Sequence, residues 1–160
     1  MEKNVLDIES GKLDIVEAEF ANIRQSTIRA VEGGHIELQQ VAALSIDGDR
    51  VEVTQGAAVL MKGESLTLNQ SVSMFAASTT ANINFSCTPV SVSRGDSTVN
   101  RSAVGVLVAN EIRAENSTSI LLIGRKVQGN ITTLLDWRSA AAIGAVAGGI
   151  FGLFTLFRRR

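Results

Sequence analysis

Few side chains in this chain could carry chemistry. There is one histidine, His35, directly after Gly33-Gly34, and one cysteine, Cys87, in the string NFSCTPVSV. One cysteine rules out an internal disulfide framework and a multi-cysteine zinc site. One histidine rules out a histidine-cluster metal centre within a single chain, leaving only a shared site in a symmetric trimer. An exposed corner histidine and a small buried thiol are the simpler expectations for His35 and Cys87. Arg94-Gly95-Asp96 reads as an integrin-type tripeptide or as a turn between strands, and the turn explains it better. Asp47 and Asp49 flank Gly48, which is ordinary turn composition. No phosphate loop, Ser-His-Asp set or Gly/Asp calcium repeat is present. The expectation is a non-enzyme with no cofactor, no metal and no small-molecule substrate.

Charge narrows the partners further. The 160 residues carry 15 Lys/Arg and 16 Asp/Glu, a net charge of −1. Such a balance gives no drive toward nucleic acid. Residues 1–136 hold 11 Lys/Arg and 16 Asp/Glu, 11 − 16 = −5, while residues 139–157 (SAAAIGAVAGGIFGLFTLF) carry no charge. Two unlike parts are implied, 1–136 and 137–160.

The elements of the long part follow from its periodicity. Apolar residues alternate at period two in short runs such as KLDIV, HIELQ, RVEV, SLTL and NINF. Successive side chains on a strand face opposite ways, so this pattern predicts strands. Written in lines of fifteen, 36–50, 51–65 and 66–80 align column by column: Ile36/Leu38, Val51/Val53, Leu66/Leu68. A further apolar column holds Leu44, Val59 and Met74. Short strands recurring every fifteen residues predict an all-β, parallel β-solenoid of eight to nine turns, with stacked coils burying a slim aliphatic core. A β-sandwich is the rival fold, since many short strands also suit it.

Two polar columns accompany the apolar ones. Gln25, Gln40, Gln55 and Gln70 share one column, and Gly33, Gly48 and Gly63 another. The glutamines fit either an amide ladder between coils or a tolerant exposed turn position. The glycines are expected at corners needing positive φ. Beyond residue 80 the phase slips by a residue or two. Residues 71–110 hold sixteen Ser, Thr or Asn, expected on outward faces and corners.

The tail has the length of a membrane span. Nineteen uncharged residues as a helix reach about 28 Å, close to the hydrocarbon thickness of a bilayer. Trp137 and Arg138 precede the run and Arg158, Arg159 and Arg160 follow it, suiting two interfaces. Ala140, Gly144, Gly148 and Gly152 recur every four residues, placing small side chains on one helix face where two helices can associate in lipid. The orientation signals conflict. MEKNVLDIES lacks an export signal, which places the solenoid in the cytoplasm, whereas the terminal arginines favour the reverse.

A solenoid has two ends with unpaired strand edges, which invite another copy unless capped. At 127–131 the string VQGNI is similar to the Val-x-Gly-x-Ile runs of bactofilins, bacterial scaffold proteins. The resemblance covers the solenoid alone and implies polymerisation at a membrane without nucleotide. The sequence thus leads to a membrane-anchored structural protein whose partners are itself and the bilayer. The alternative is an adhesin-like or receptor-like stalk that presents the polar 71–110 face to a partner.

Overall fold

A computed structural model describes residues 5–133. The strands are β1 (Val5–Ile8), β2 (Gly11–Arg24), β3 (Ser26–Gln39), β4 (Ala42–Thr54), β5 (Ala57–Asn69), β6 (Val72–Asn84), β7 (Cys87–Ser93), β8 (Asp96–Asn100) and β9 (Ala103–Thr133). Every pairing between them is parallel, in the order β1-β2-β3-β4-β5-β6 and then β7 and β8 side by side between β6 and β9. The chain is a parallel β-solenoid of about eight turns, and two facing sheets are absent from the described residues.

The fifteen-residue period is the register itself. Val31 pairs with Ile46, Ile46 with Met61 and Met61 with Ala76. The phase slip after residue 80 is one residue, inserted at Arg94-Gly95-Asp96. Ser78 still pairs with Ser93 at a spacing of fifteen, whereas Ala81 pairs with Ser97 at sixteen. The inserted bend stays in the ladder, because the amides of Arg94 and Gly95 donate to the carbonyls of Ser78 and Thr79. From Asp96–Glu111 onward the spacing is fifteen again.

Each coil has three sides. In β3 the inward residues come in pairs, Ser26/Ile28, Val31/Gly33 and Ile36/Leu38, with outward positions between the pairs. Pairing skips Arg29, Gly34 and Gln40, so the ladder is interrupted where the coil bends. Two consecutive outward residues reverse the alternation at a bend. That reversal is why Leu44, Val59 and Met74 point outward, 56%, 42% and 50% exposed, although the sequence pattern groups them with the core columns.

The core changes character along the axis. In the first coils it is aliphatic, with Ile23, Ile28, Val31, Ile36, Leu38 and Ile46 fully buried. In the middle coils hydroxyls replace aliphatics, and Ser71, Ser73, Ser86, Thr88, Ser91, Ser93, Ser97 and Ser102 are buried. Half of the polar residues expected to decorate the outside of 71–110 therefore line the inside. A hydroxyl is tolerated there because a narrow coil brings it within reach of the next: Ser73 and Thr88 are 3.2 Å apart, and so are Ser78 and Ser93. One aliphatic column persists through these coils at Ile83 and Val99, and larger side chains return to the others at Leu107 and Ile112.

The glycine column is a matter of space, not of φ. None of Gly33, Gly48 and Gly63 has positive φ. A Cβ on Gly48 would lie 2.6 Å from the Gly33 carbonyl oxygen and 2.7 Å from the Ile36 side chain, and one on Gly63 2.5 Å from the Gly48 carbonyl oxygen. The column lets consecutive backbones nest at one bend. Gly48→Ala is expected to destabilise the protein by about 1–3 kcal/mol through overpacking. Gly11→Ala, with nothing within 4 Å of its added methyl, stays within about 0.5 kcal/mol of wild type. Urea midpoints of the two variants check this.

Candidate assembly surfaces

The side chains placed most regularly by the coil are those of its corners and outward sides. No three of His, Cys, Asp or Glu among them are grouped to hold a metal. His35 is half-buried, its ring 5.9 Å from that of Phe20 one coil below, so it packs as an aromatic and is less exposed than expected. Cys87 is exposed, contrary to the expectation of a buried thiol, because it occupies an outward position of β7.

The glutamine column builds the sharpest corner. Gln25, Gln40, Gln55 and Gln70 have φ of 48°, 55°, 54° and 50°, and the column continues as Phe85, Arg101 and Asn116 at 49°, 46° and 48°. The positive φ expected of the glycines thus belongs to this column. A left-handed conformation costs a non-glycine residue roughly 1–2 kcal/mol. Each corner is offset by hydrogen bonds to the next coil. The amides of Gln25, Gln40, Gln55 and Gln70 donate to the carbonyls of Gln39, Thr54, Asn69 and Asn84 at 2.9–3.0 Å. The side chains form the amide ladder: Gln25 Nε2 donates to Gln40 Oε1 at 3.3 Å, Gln40 to Gln55 at 3.4 Å and Gln55 to Gln70 at 3.1 Å. Above Gln70 the ladder gives way to a cation–π contact, with the Arg101 guanidinium 5.5 Å from the Phe85 ring centroid. A second ladder runs one residue earlier, where Asn84 donates to Asn69 and Asn100 to Asn84 at 3.2 and 3.0 Å.

Behind the corner stands a serine column that the sequence reading missed. The left-handed residue turns the following amide toward the coil above, where a serine hydroxyl accepts it. Gly56 donates to Ser71 Oγ, Ser71 to Ser86 Oγ, Ser86 to Ser102 Oγ and Ser102 to Ser117 Oγ, at 3.0–3.3 Å. Each of these hydroxyls in turn donates to the carbonyl two residues before it, at 2.7–2.9 Å. The signal was legible once the one-residue slip is placed, because a serine follows the corner at 26, 71, 86, 102 and 117.

The three sides differ in chemistry. One bears charges such as Asp47 and Lys62, 2.9 Å apart, and this hydrogen bond holds the Lys62 ammonium above its ordinary range. Another bears the asparagine ladder with Glu37, Glu52 and Arg113. The third carries Leu44, Val59, Leu60, Met74, Phe75 and Ile120 exposed.

Within residues 5–133 the first and last coils are only partly covered. Among the described residues Gly11–Ala18 pairs only with β3, because β1 reaches no further than Phe20–Ile23. At the other end Val127 occupies an inward column above Ile112 yet is 45% exposed, and Leu122 is half-buried. Trp137, Arg138, Ala140, Gly144, Gly148, Gly152, Arg158, Arg159 and Arg160 lie outside the described residues. No helix among the described residues is long and apolar enough to cross a membrane.

No family model, no curated protein and no solved structure matches this chain.

The corner makes a direct prediction. Gln55→Val places a β-branched residue at φ 54° and removes two ladder bonds, so stability falls by about 1–3 kcal/mol. Gln55→Gly also removes both bonds but relieves the backbone, and is expected within about 1 kcal/mol of wild type. Ser102→Ala strips the Ser86 amide of its buried acceptor and costs about 1–3 kcal/mol. Denaturant titrations of the three variants give the order.

Proposed function

We propose that this chain is a non-catalytic, membrane-anchored structural protein whose solenoids self-assemble into a scaffold, as a filament or ring, at the membrane. The observation that carries the reading is the pair of ends. Among the described residues the first coil has a one-sided stretch of strand at Gly11–Ala18, and the last leaves core-column side chains part-exposed. Because the coils share one parallel register, the last coil of one copy matches the first coil of another in both hydrogen bonding and apolar columns. Such head-to-tail contacts extend into open filaments, or into rings where the rotation from copy to copy closes.

The tail supplies the membrane part of the proposal. Its uncharged run with Trp137, Arg138 and Arg158–Arg160 at the borders suits a single pass; Arg125, Lys126 and Arg138 favour the cytoplasm on the solenoid side, against the opposite pull of the terminal arginines. Anchoring confines copies to a surface and raises their effective concentration without any new contact. Kinship with bactofilins is part of the same proposal, supported by the parallel coil and the VQGNI string. The stalk alternative is weakened by the burial of half the polar residues it would present.

Sedimentation of the detergent-solubilised full chain, with electron microscopy of membranes containing it, tests the reading. Elongated species larger than one chain, and resistance of the membrane-bound protein to alkaline extraction, are expected. A dispersed monomer at micromolar concentration contradicts it.

A further inference from the structure

The third side of the coil is unlike the other two. Three outward positions per coil face it, and from Ala42 to Leu121 six consecutive coils fill these eighteen positions without a single charge. Leu44, Val59, Leu60, Met74, Phe75 and Ile120 are each 42–56% exposed there. Below Ala42 the same side carries Lys12, Asp14 and Arg29, so the uncharged surface has a definite start. Six coils at about 4.8 Å and four residues at about 3.3 Å give a projected area on the order of 400 Å². Protruding side chains raise the accessible area toward the roughly 800 Å² that one partner contributes to a stable interface. An apolar surface of this extent marks an interaction site.

Charge decides among occupants. A lipid surface favours basic residues around an apolar face. Here the column bordering this side runs Asp47, Lys62, Ala77, Val92, Val108 and Ile123, a single basic residue beside an acidic one, and residues 1–136 carry a net −5, from 11 Lys/Arg and 16 Asp/Glu. An uncharged, straight sheet face is instead complementary to itself, because two such faces pack about 10 Å apart with interdigitating side chains.

We propose that this side is a lateral interface between two copies of this chain, packed apolar side to apolar side. It deepens the self-assembly reading and rests on it, adding pairing across the coil axis to stacking along it. Each copy uses the same patch, so the contact closes as a pair and leaves both ends free to stack.

Thiol cross-linking of the full chain in phosphatidylcholine vesicles tests the proposal. Cys87 lies on this side, so the background is Cys87→Ser. Met74→Cys places a thiol on the apolar side and Glu64→Cys one on a charged side. With copper–phenanthroline as the oxidant, Met74→Cys is expected to form disulfide dimers about tenfold faster than Glu64→Cys, as a held contact does over chance encounter. Adding Phe75→Glu abolishes the dimers, whereas Thr79→Glu, exposed on another side, leaves them. Equal rates at the two thiols overturn the proposal. So does a Met74→Cys thiol that is shielded from a water-soluble maleimide yet never cross-links at any protein-to-lipid ratio. If that shielding is lost in detergent, the bilayer covers the side; if it persists in detergent, residues 139–157 of the same chain do. Sedimentation separates this failure from that of self-assembly. Oligomers that persist unchanged with Phe75→Glu, without cross-linking at Met74→Cys, keep end-to-end assembly and remove the lateral interface.

Discussion

Everything in this protein follows from hydrogen bonds that run lengthwise, from each coil to the one fifteen residues on. A coil of fifteen residues must turn through a full circle and return in register, and straight strands cannot do that. The chain therefore concentrates its curvature at three bends. Two are mild and skip one pairing each. The third needs a left-handed residue, and glutamine supplies it in four successive coils. Its side chain returns part of the conformational cost by bonding to its own equivalent one coil away. Glycine would turn the corner more easily but would contribute no ladder.

The same constraint explains the serines. A left-handed corner leaves the next amide aimed along the axis and inside the coil, where water does not reach. A hydroxyl from the neighbouring coil is the smallest group that accepts it while donating back to its own corner carbonyl. Once serine occupies that column, hydroxyls in the adjacent inward column find partners too, as at Ser73 and Thr88. The middle of the solenoid thus trades hydrophobic burial for hydrogen bonding, while Ile23–Leu38 and Leu107–Ile112 keep aliphatic cores on either side. Ser91, Ser97 and Ser119 hydroxyls are buried without a partner, which makes this mixed core less than fully satisfied.

Much of this was legible in the residues. Ile36/Leu38, Val51/Val53 and Leu66/Leu68 announce the coil because identical environments recur at a fixed spacing. The glutamine column was visible for the same reason, although its two readings could be separated only by seeing the backbone. Other features were hidden by geometry. Leu44, Val59 and Met74 form an apolar run at fifteen-residue spacing yet face outward, since a bend reverses which residues point in. Gly33, Gly48 and Gly63 suggest positive φ by residue type, whereas their true constraint is a carbonyl of the coil below. The serine column was masked by composition, because a Ser/Thr/Asn-rich stretch reads as surface. The one-residue insertion at Arg94–Asp96 then shifted its later members out of alignment.

Distances along one corner column test the lengthwise ladder most directly. Nitroxide pairs would join Gln25→Cys to Gln70→Cys, Phe85→Cys, Arg101→Cys or Asn116→Cys in a Cys87→Ser background, diluted with unlabelled chain. The coil predicts backbone separations rising evenly by about 4.8 Å per step, from roughly 14 to 29 Å. A non-monotonic series, with a later label returning toward Gln25, would contradict the stacked coil and with it the account of corners, ladders and sides.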